Sequence, residues 1–130
     1  MKLWIDDVRP APEGYIWCKS VYDAIGCIYM FERALFTLQW EYDTADMPVL
    51  SPLKMRKECL EKEIIKRHIE LIDIDHDAGD YAKDGGDYIK LLDWLEETGR
   101  NYPIRIHSAN PVGVQNMRAI IHKNGWKEVF

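Results

Sequence analysis

The sequence has little cysteine, no long apolar run and fewer basic than acidic residues. Its three cysteines, Cys18, Cys27 and Cys59, are odd in number and lack the Cys-x-x-Cys spacing of zinc and redox motifs. They indicate reduced thiols in a cytoplasmic protein and argue against a disulfide framework. No apolar run approaches the ~18 residues that a bilayer-spanning helix needs. The opening residues become acidic at Asp6, too soon for a signal peptide, so we expect no association with a membrane.

The charge balance argues against one class of partner. The chain carries 22 acidic and 17 basic residues, a net charge of −5. Proteins that wrap duplex DNA use dense lysine and arginine, so no duplex DNA is expected as a ligand. At 130 residues the chain has the length of a single domain. The composition leaves its oligomeric state open.

Apolar strand patterns alternate with helical ones along the chain. Buried or short strands are predicted at residues 3–5, 15–17, 69–74, 104–106 and 126–130, and a half-exposed strand at 36–42. Helices are predicted to start at Ser20, at Ser51-Pro52 (with Leu53, Leu60 and Ile64 on one side, ending near His68), at Tyr88 and at Asn110-Pro111, with Gly99 and Gly125 ending the last two. Residues 75–87 are predicted to form a loop. This alternation predicts an α/β fold with a central, mostly parallel sheet of four to five strands.

Three polar clusters directly follow predicted strands. They are Asp6-Asp7-Val8-Arg9-Pro10, Asp75-His76-Asp77-Ala78-Gly79 and His107-Ser108-Ala109-Asn110-Pro111. Because parallel sheets place ligand sites at the carboxyl ends of their strands, we expect the three clusters to face one cleft. Carboxylates gathered there favour a hard divalent cation.

The acidic residues also permit plainer interpretations. Asp6 and Asp7 are adjacent, so their side chains diverge unless the strand end bends, and the pair can equally be a polar strand terminus. Asp73 interrupts an apolar strand, where a carboxylate without a partner is costly. The aspartates from Asp73 onward resemble a calcium-binding EF-hand loop, but the glycine stands at Gly79, one position late, and we reject that interpretation.

Residues suited to an anion accompany the carboxylates. His76 can donate a proton to a leaving oxygen or hold a phosphate, although a purely structural histidine is an equal alternative. Ser108 and the helix start at Asn110 form a candidate anion site, and Asn110 is also the expected N-cap of that helix. Arg9 and His107 stand beside them.

These motifs, together with Gly86-Asp87-Tyr88, Trp94-Leu95, Val112-Gly113 and Asn116-Met117, resemble the cyclic-phosphate-processing receiver-domain family over residues 3–35 and 69–126. The resemblance implies a receiver/flavodoxin-like three-layer sandwich and action on cyclic phosphates of nucleotides or RNA ends. It places the acidic pocket of a receiver on Asp6, Asp7 and Asp75, and the strand-end hydroxyl on Ser108. The whole chain, 1–130, is then one receiver-like domain with an atypical segment at about 36–66.

The favoured hypothesis is a metal-assisted phosphoesterase. Its predicted site has catalytic His76, His107 and Asp75, phosphate-binding Arg9, Ser108 and Asn110, and Mg²⁺ or Mn²⁺ on Asp6, Asp7, Asp75 and Asp77. One alternative is a non-catalytic module that binds a nucleotide or phosphate. Another is a signalling receiver phosphorylated on Asp75, which is disfavoured because the lysine-proline pair expected near the last strand is absent around Lys127.

Overall fold

Short strands and four helices make up the described part of the chain. The structure is a computed structural model that describes residues 1–45 and 57–130. The elements are β1 (Lys2–Ile5), β2 (Tyr15–Cys18), α1 (Val21–Asp43), α2 (Lys57–Arg67), β3 (Leu71–Ile74), a 3₁₀ helix (Gly79–Lys83), α3 (Ile89–Glu97), β4 (Ile104–Ile106) and α4 (Pro111–Lys123). The predicted helix start at Ser51-Pro52 and Leu53 lies outside the described residues.

The four strands form one parallel sheet in the order β2-β1-β3-β4. The predicted α/β class and parallel sheet are confirmed, with the smaller of the two strand numbers. The sheet contributes fully buried side chains to the core, among them Leu3, Ile5, Ile72, Ile74 and Ile104. Since β2 and β3 flank β1 on opposite sides, the strand order reverses at β1, which is where ligands bind in open α/β sheets.

Strands β1, β3 and β4 end at the same level of the sheet. Ile5 of β1 is in register with Ile74 of β3, and Ile74 is in register with Ile106 of β4. The amide of Asp75 donates to the Ile5 carbonyl, and that of His107 donates to the Ile74 carbonyl, both at 2.9 Å. The residue following each strand therefore leaves the sheet at one common edge.

The strand predicted at residues 36–42 is wrong, because this stretch belongs to helix α1. The helix has the predicted cap, since the Ser20 hydroxyl accepts the Asp23 amide at 3.0 Å. Neither proline nor glycine interrupts the chain between Cys27 and Asp43, so each added residue extends the helix with one more hydrogen bond. Helical propagation overrides the alternating pattern of the 36–42 stretch.

Two other predictions need correction. The last strand, predicted at 126–130, is reduced to an isolated parallel bridge between Ile104 and Glu128, since β4 is short and pairs with the C-terminal stretch at that residue. The loop predicted at 75–87 contains the 3₁₀ helix Gly79–Lys83. Its first turn is formed by a hydrogen bond of 2.9 Å from the Tyr81 amide to the Ala78 carbonyl.

The chain forms two compact units. The first comprises Met1–Cys27 and Ile69–Phe130 and contains the whole sheet. The second, Ile28–His68, contains the rest of α1 together with α2, and within it the Tyr42 hydroxyl donates to a Glu61 carboxylate oxygen at 3.0 Å. The single receiver-like domain with an atypical segment at 36–66 stays a prediction. In the described residues, no helix combines the length and the apolar character needed to cross a membrane.

Candidate functional site

Three carboxylates meet at the edge where β1 and β3 end. Asp6, Asp7 and Asp75 each offer one oxygen, and these oxygens all lie within 4.8 Å of one another. Adjacent Asp6 and Asp7 both reach this cluster because the chain turns sharply after β1. The turn is held by Asp6 Oδ1, which accepts the amides of Val8 at 2.9 Å and Arg9 at 2.8 Å. We call these three residues the carboxylate cluster.

Asp6 is buried and fully hydrogen-bonded. Burial alone would raise its pKa, but the amides of Arg9 and Val8, the His107 ring and the Arg9 charge outweigh burial and hold the pKa of Asp6 below its usual value. The Arg9 guanidinium lies directly on the cluster, with Nε 2.9 Å from Asp6 Oδ2 and Nη2 3.1 Å from Asp75 Oδ2. Asp6 is therefore ionised throughout the neutral pH range.

Asp7 depends on a glycine beneath it. A Cβ atom at Gly79 would overlap Asp7 Oδ2, and Gly79 has a φ of +53°, which also disfavours other residues.

Buried Tyr88 lies near the cluster and donates its hydroxyl to the Lys19 carbonyl at 2.7 Å. Burial and the charges of the nearby carboxylates raise the pKa of Tyr88 well above its ordinary value of 10, so the phenol stays neutral.

His107 has both ring nitrogens committed to buried carboxylates. Its Nδ1 lies 2.6 Å from Asp73 Oδ1, and its Nε2 lies 3.0 Å from Asp6 Oδ2. The indole of Trp4 stacks on the imidazole, with ring centroids 3.8 Å apart and planes 5° from parallel. The partner that the sequence required for Asp73 is thus His107, aided by Arg105 at 3.9 Å.

His76 is held differently. Its Nδ1 lies 2.9 Å from Asp77 Oδ1, and the side-chain Nδ2 of Asn110 lies 3.4 Å from Asp77 Oδ2. The ring rests against the start of α4, where a Cβ at Gly113 would overlap it. The ring atoms nearest Gly113 are Cγ, Cδ2 and Nδ1. Within residues 1–45 and 57–130, no hydrogen-bond partner occupies His76 Nε2.

Of the two predicted anion-binding residues before α4, Asn110 caps the helix and Ser108 hydrogen-bonds to the backbone of Asn110. Asn110 Oδ1 accepts the Gly113 amide at 3.0 Å, as predicted for an N-cap, and Ser108 Oγ accepts the Asn110 amide at 3.2 Å. Both residues lie in the segment that follows β4, two and four positions past its end. Their role in phosphate binding stays a prediction.

The structure brings together most of the predicted site, but it divides the acidic residues. Asp6, Asp7 and Asp75 form the carboxylate cluster, whereas Asp77 is largely exposed beside His76 and falls outside that group. Four residues that contact the site were given no site role from the sequence, namely Asp73, Trp4, Gly79 and Gly113. Asp73 gave a signal, because a carboxylate inside an apolar strand needs a partner. The other three lie beside or within the sequence motifs, but their packing partners, His107, Asp7 and His76, could not be predicted from spacing.

Comparison with known proteins points to one kind of domain. The chain matches the family model described as a cyclic-phosphate processing receiver domain, over residues 1–123. No curated protein and no solved structure matches the chain. The matched range includes every residue of the carboxylate cluster and both site histidines.

Proposed function

Because the chain belongs to the family of cyclic-phosphate processing receiver domains, we propose that it is a metal-assisted phosphoesterase that opens cyclic phosphates of nucleotides or RNA ends. One observation carries the proposal: three carboxylate oxygens gather within 4.8 Å of one another, at the sheet edge where Asp75 is followed directly by His76. Once a cation binds, such a site presents positive charge to a phosphate. His76, directly beside it, can carry a proton.

The carboxylate cluster suits a hard divalent cation. All three donors are oxygens, the ligand type that Mg²⁺ and Mn²⁺ prefer. In the described part of the chain nothing donates a hydrogen bond to the Asp7 carboxylate, so its oxygens are available. A bound cation would stabilise negative charge on a phosphoryl oxygen. We assign its binding to Asp6, Asp7 and Asp75, and leave Asp77 to His76.

His76 is the residue we assign to proton transfer. Asp77 engages Nδ1, which fixes the tautomer and leaves Nε2 to react, the arrangement that general acid-base histidines use. In the proposed step a water oxygen bonds to phosphorus and the bond from phosphorus to one ribose oxygen breaks. That ribose oxygen takes a proton from His76 Nε2, and the proton lost by the water restores the imidazolium.

The second histidine has a different part in this proposal. Because Asp73 and Asp6 take both nitrogens of His107, it has no free nitrogen to offer a substrate. We assign it to positioning the Asp6 carboxylate, as histidine-carboxylate pairs commonly orient groups at metal sites. Arg9, Ser108 and Asn110 are left to contact phosphate oxygens.

The proposed substrates are nucleotides and RNA ends, and duplex DNA is not among them. A chain with a net charge of −5 lacks the excess of lysine and arginine on which duplex binding draws. Cys18, Cys27 and Cys59 are free thiols, which suits a reducing compartment. The cytoplasm is the compartment that we propose.

Turnover of 2′,3′-cyclic nucleotides and of short RNA ending in a cyclic phosphate tests the proposal. With Mg²⁺ or Mn²⁺ present, the protein should open the ring, and chelation of the metal should stop the reaction. His76→Gln should lower kcat by about 10²- to 10⁴-fold, the usual contribution of a general acid or base. Asp7→Asn should weaken metal binding and activity together. Asp93→Asn, which alters a carboxylate paired with Lys90 on α3, is the matched control and should leave turnover unchanged.

Two other outcomes would overturn the proposal. Saturable binding of a cyclic nucleotide without product would make the protein a binding module. Stable labelling of Asp75 by acetyl phosphate, abolished in Asp75→Asn, would make it a phosphoacceptor receiver.

A further inference from the structure

Arg9 lies where an added cation would have to bind. Its Nε and Nη2 contact Asp6 and Asp75 at 2.9 and 3.1 Å, and Nη2 also donates to the His107 carbonyl at 3.1 Å. One guanidinium thus bridges two members of the carboxylate cluster and supplies part of the positive charge that the cluster needs. Its side chain is nevertheless 52% exposed.

Asp6 has no unused position for a further ligand. A carboxylate offers about four lone-pair positions. Those of Asp6 are taken by the amides of Val8 and Arg9 on Oδ1, and by Arg9 Nε and His107 Nε2 on Oδ2. A metal ion that binds Asp6 must therefore displace one of these donors.

The donors differ in how easily they can leave. The two amides belong to the turn that follows β1, and losing either would break that turn. His107 is held from behind by Asp73 and stacked on Trp4. The Arg9 side chain is long and half exposed, so it is the donor that can move into solvent at least cost.

We propose that Arg9 is a built-in counter-ion that competes with the divalent cation for Asp6 and Asp75, and that, once displaced, it binds the phosphate of the substrate. The inference rests on the metal site of the proposed function and adds a regulation to it. Cation binding releases the guanidinium, which is well suited to bidentate contacts with phosphate oxygens. Phosphate binding in turn keeps Arg9 away from the carboxylates.

Cation and phosphate therefore bind cooperatively. Coupling between two ligands is reciprocal, so phosphate must raise the affinity for the metal by the factor by which the metal raises the affinity for phosphate. Arg9 adds to the direct attraction between cation and phosphate, because it can contact the carboxylates or the phosphate but not both fully. Arg9 thus has two alternative partners, the carboxylate cluster and the phosphate of the substrate.

Binding of Mn²⁺, followed by electron paramagnetic resonance of the free ion, separates these effects from activity. Arg9→Gln should bind Mn²⁺ roughly 3- to 30-fold more tightly than the unaltered protein, because the competing charge is gone. Inorganic phosphate should tighten Mn²⁺ binding to the unaltered protein by roughly 5-fold or more, after correction for Mn²⁺ bound by phosphate alone. In Arg9→Gln this effect of phosphate should fall well below that in the unaltered protein, leaving only the direct attraction between phosphate and the bound ion. Arg9→Lys, which keeps the charge but loses the fork, should lie between the two.

Arg118→Gln is the matched control, because Arg118 pairs with Glu128 and not with the cluster. It should behave as the unaltered protein in both titrations. Equal or weaker Mn²⁺ binding by Arg9→Gln would overturn the competition, and phosphate coupling as strong in Arg9→Gln as in the unaltered protein would overturn the role of Arg9 in it. If no form of the protein binds Mn²⁺, the metal site of the proposed function fails as well, which distinguishes the two failures.

Discussion

At the scale of single residues, the buried carboxylates are held by paired and charged donors. Asp6 and Asp73 are each 1% exposed, and His107 bridges them. Leaving one member of such a group without its partner costs several kcal/mol, about 3–5 for a buried ion pair. Among the described residues, no buried side-chain nitrogen or oxygen lacks a hydrogen-bond partner. The polar network therefore holds the site in place before any ligand arrives.

The lowered pKa of Asp6 predicts how stability depends on pH. The fold lowers this pKa below its ordinary value of 3.8, so the carboxylate stabilises the fold fully above that value. The contribution is lost as the pH falls through the lower, folded-state pKa. In metal-free protein, Asp6→Asn should be less stable at neutral pH but should lose less stability as the pH falls from ~4 to ~2, as measured by urea unfolding.

Asp93→Asn provides the control for that series. Asp93 is 43% exposed on α3 and pairs with Lys90 at 3.6 Å, so its removal should leave the pH dependence unchanged. Curves of unfolding free energy against pH that run parallel for Asp6→Asn and the unaltered protein would contradict the assignment.

Sequence reasoning at this scale identified the residues that meet but not how each is used. That Asp6, Asp7 and Asp75 converge follows from strand ends in a parallel sheet, which the pattern of apolar residues gives directly. Which histidine keeps a free nitrogen depends on side-chain partners brought together from distant parts of the chain. No spacing in the sequence states that His107 lies between Asp6 and Asp73.

At the scale of elements, the match in register between the central strands builds the site. Ile5, Ile74 and Ile106 stand side by side, so one residue beyond each strand is enough to bring the clusters to one edge. The strands at 3–5 and 104–106 can be predicted because both are short, begin and end with apolar residues and are followed by polar residues. The stretch 36–42 is not legible, because an alternating pattern on a continuing helix looks like a strand.

Contact between α4 and the loop after β3 predicts an unusual effect of a helix substitution. Gly→Ala inside a helix normally stabilises by about 0.5–1 kcal/mol. At Gly113 the new methyl group would overlap the His76 ring, and relieving such overlap costs about 1–3 kcal/mol. Gly113→Ala should therefore give no gain or a loss of stability in urea unfolding, and it should lower turnover because His76 is displaced.

Gly26→Ala is the comparison that isolates this effect. Gly26 lies in α1, and a Cβ there meets no atom within 4 Å, so the substitution should raise the unfolding free energy by the usual amount. A gain in stability at Gly113 equal to that at Gly26, with unchanged turnover, would show that the His76 ring does not depend on this glycine.

At the scale of the whole chain, the family match and the packing set different boundaries. The match ends at residue 123, but the residues beyond it pack against the sheet-containing unit. Trp126 is buried, the Ile104 amide donates to the Lys127 carbonyl at 2.9 Å, and Glu128 pairs with Arg118 at 2.8 Å. The sequence predicts a strand at 126–130, and in the structure this stretch pairs with β4 only at Glu128.

These contacts predict that the residues after Gly125 are needed for stability. A chain ending at Gly125 loses the buried Trp126 side chain, and loss of a buried tryptophan costs about 3–5 kcal/mol. It also leaves the outer edge of β4 without the two backbone bonds made around Ile104. Because domains of this size are stable by only about 5–15 kcal/mol, the shortened chain should unfold at much lower urea concentration, and Trp126→Ala should shift the midpoint in the same direction.

Deleting Phe130 alone, a residue 88% exposed, should have little effect. An unfolding midpoint for the shortened chain equal to that of the full chain would place the boundary of the folded unit at the end of α4. The contacts of Trp126 and Glu128 would then contribute nothing to holding β4 at the edge of the site.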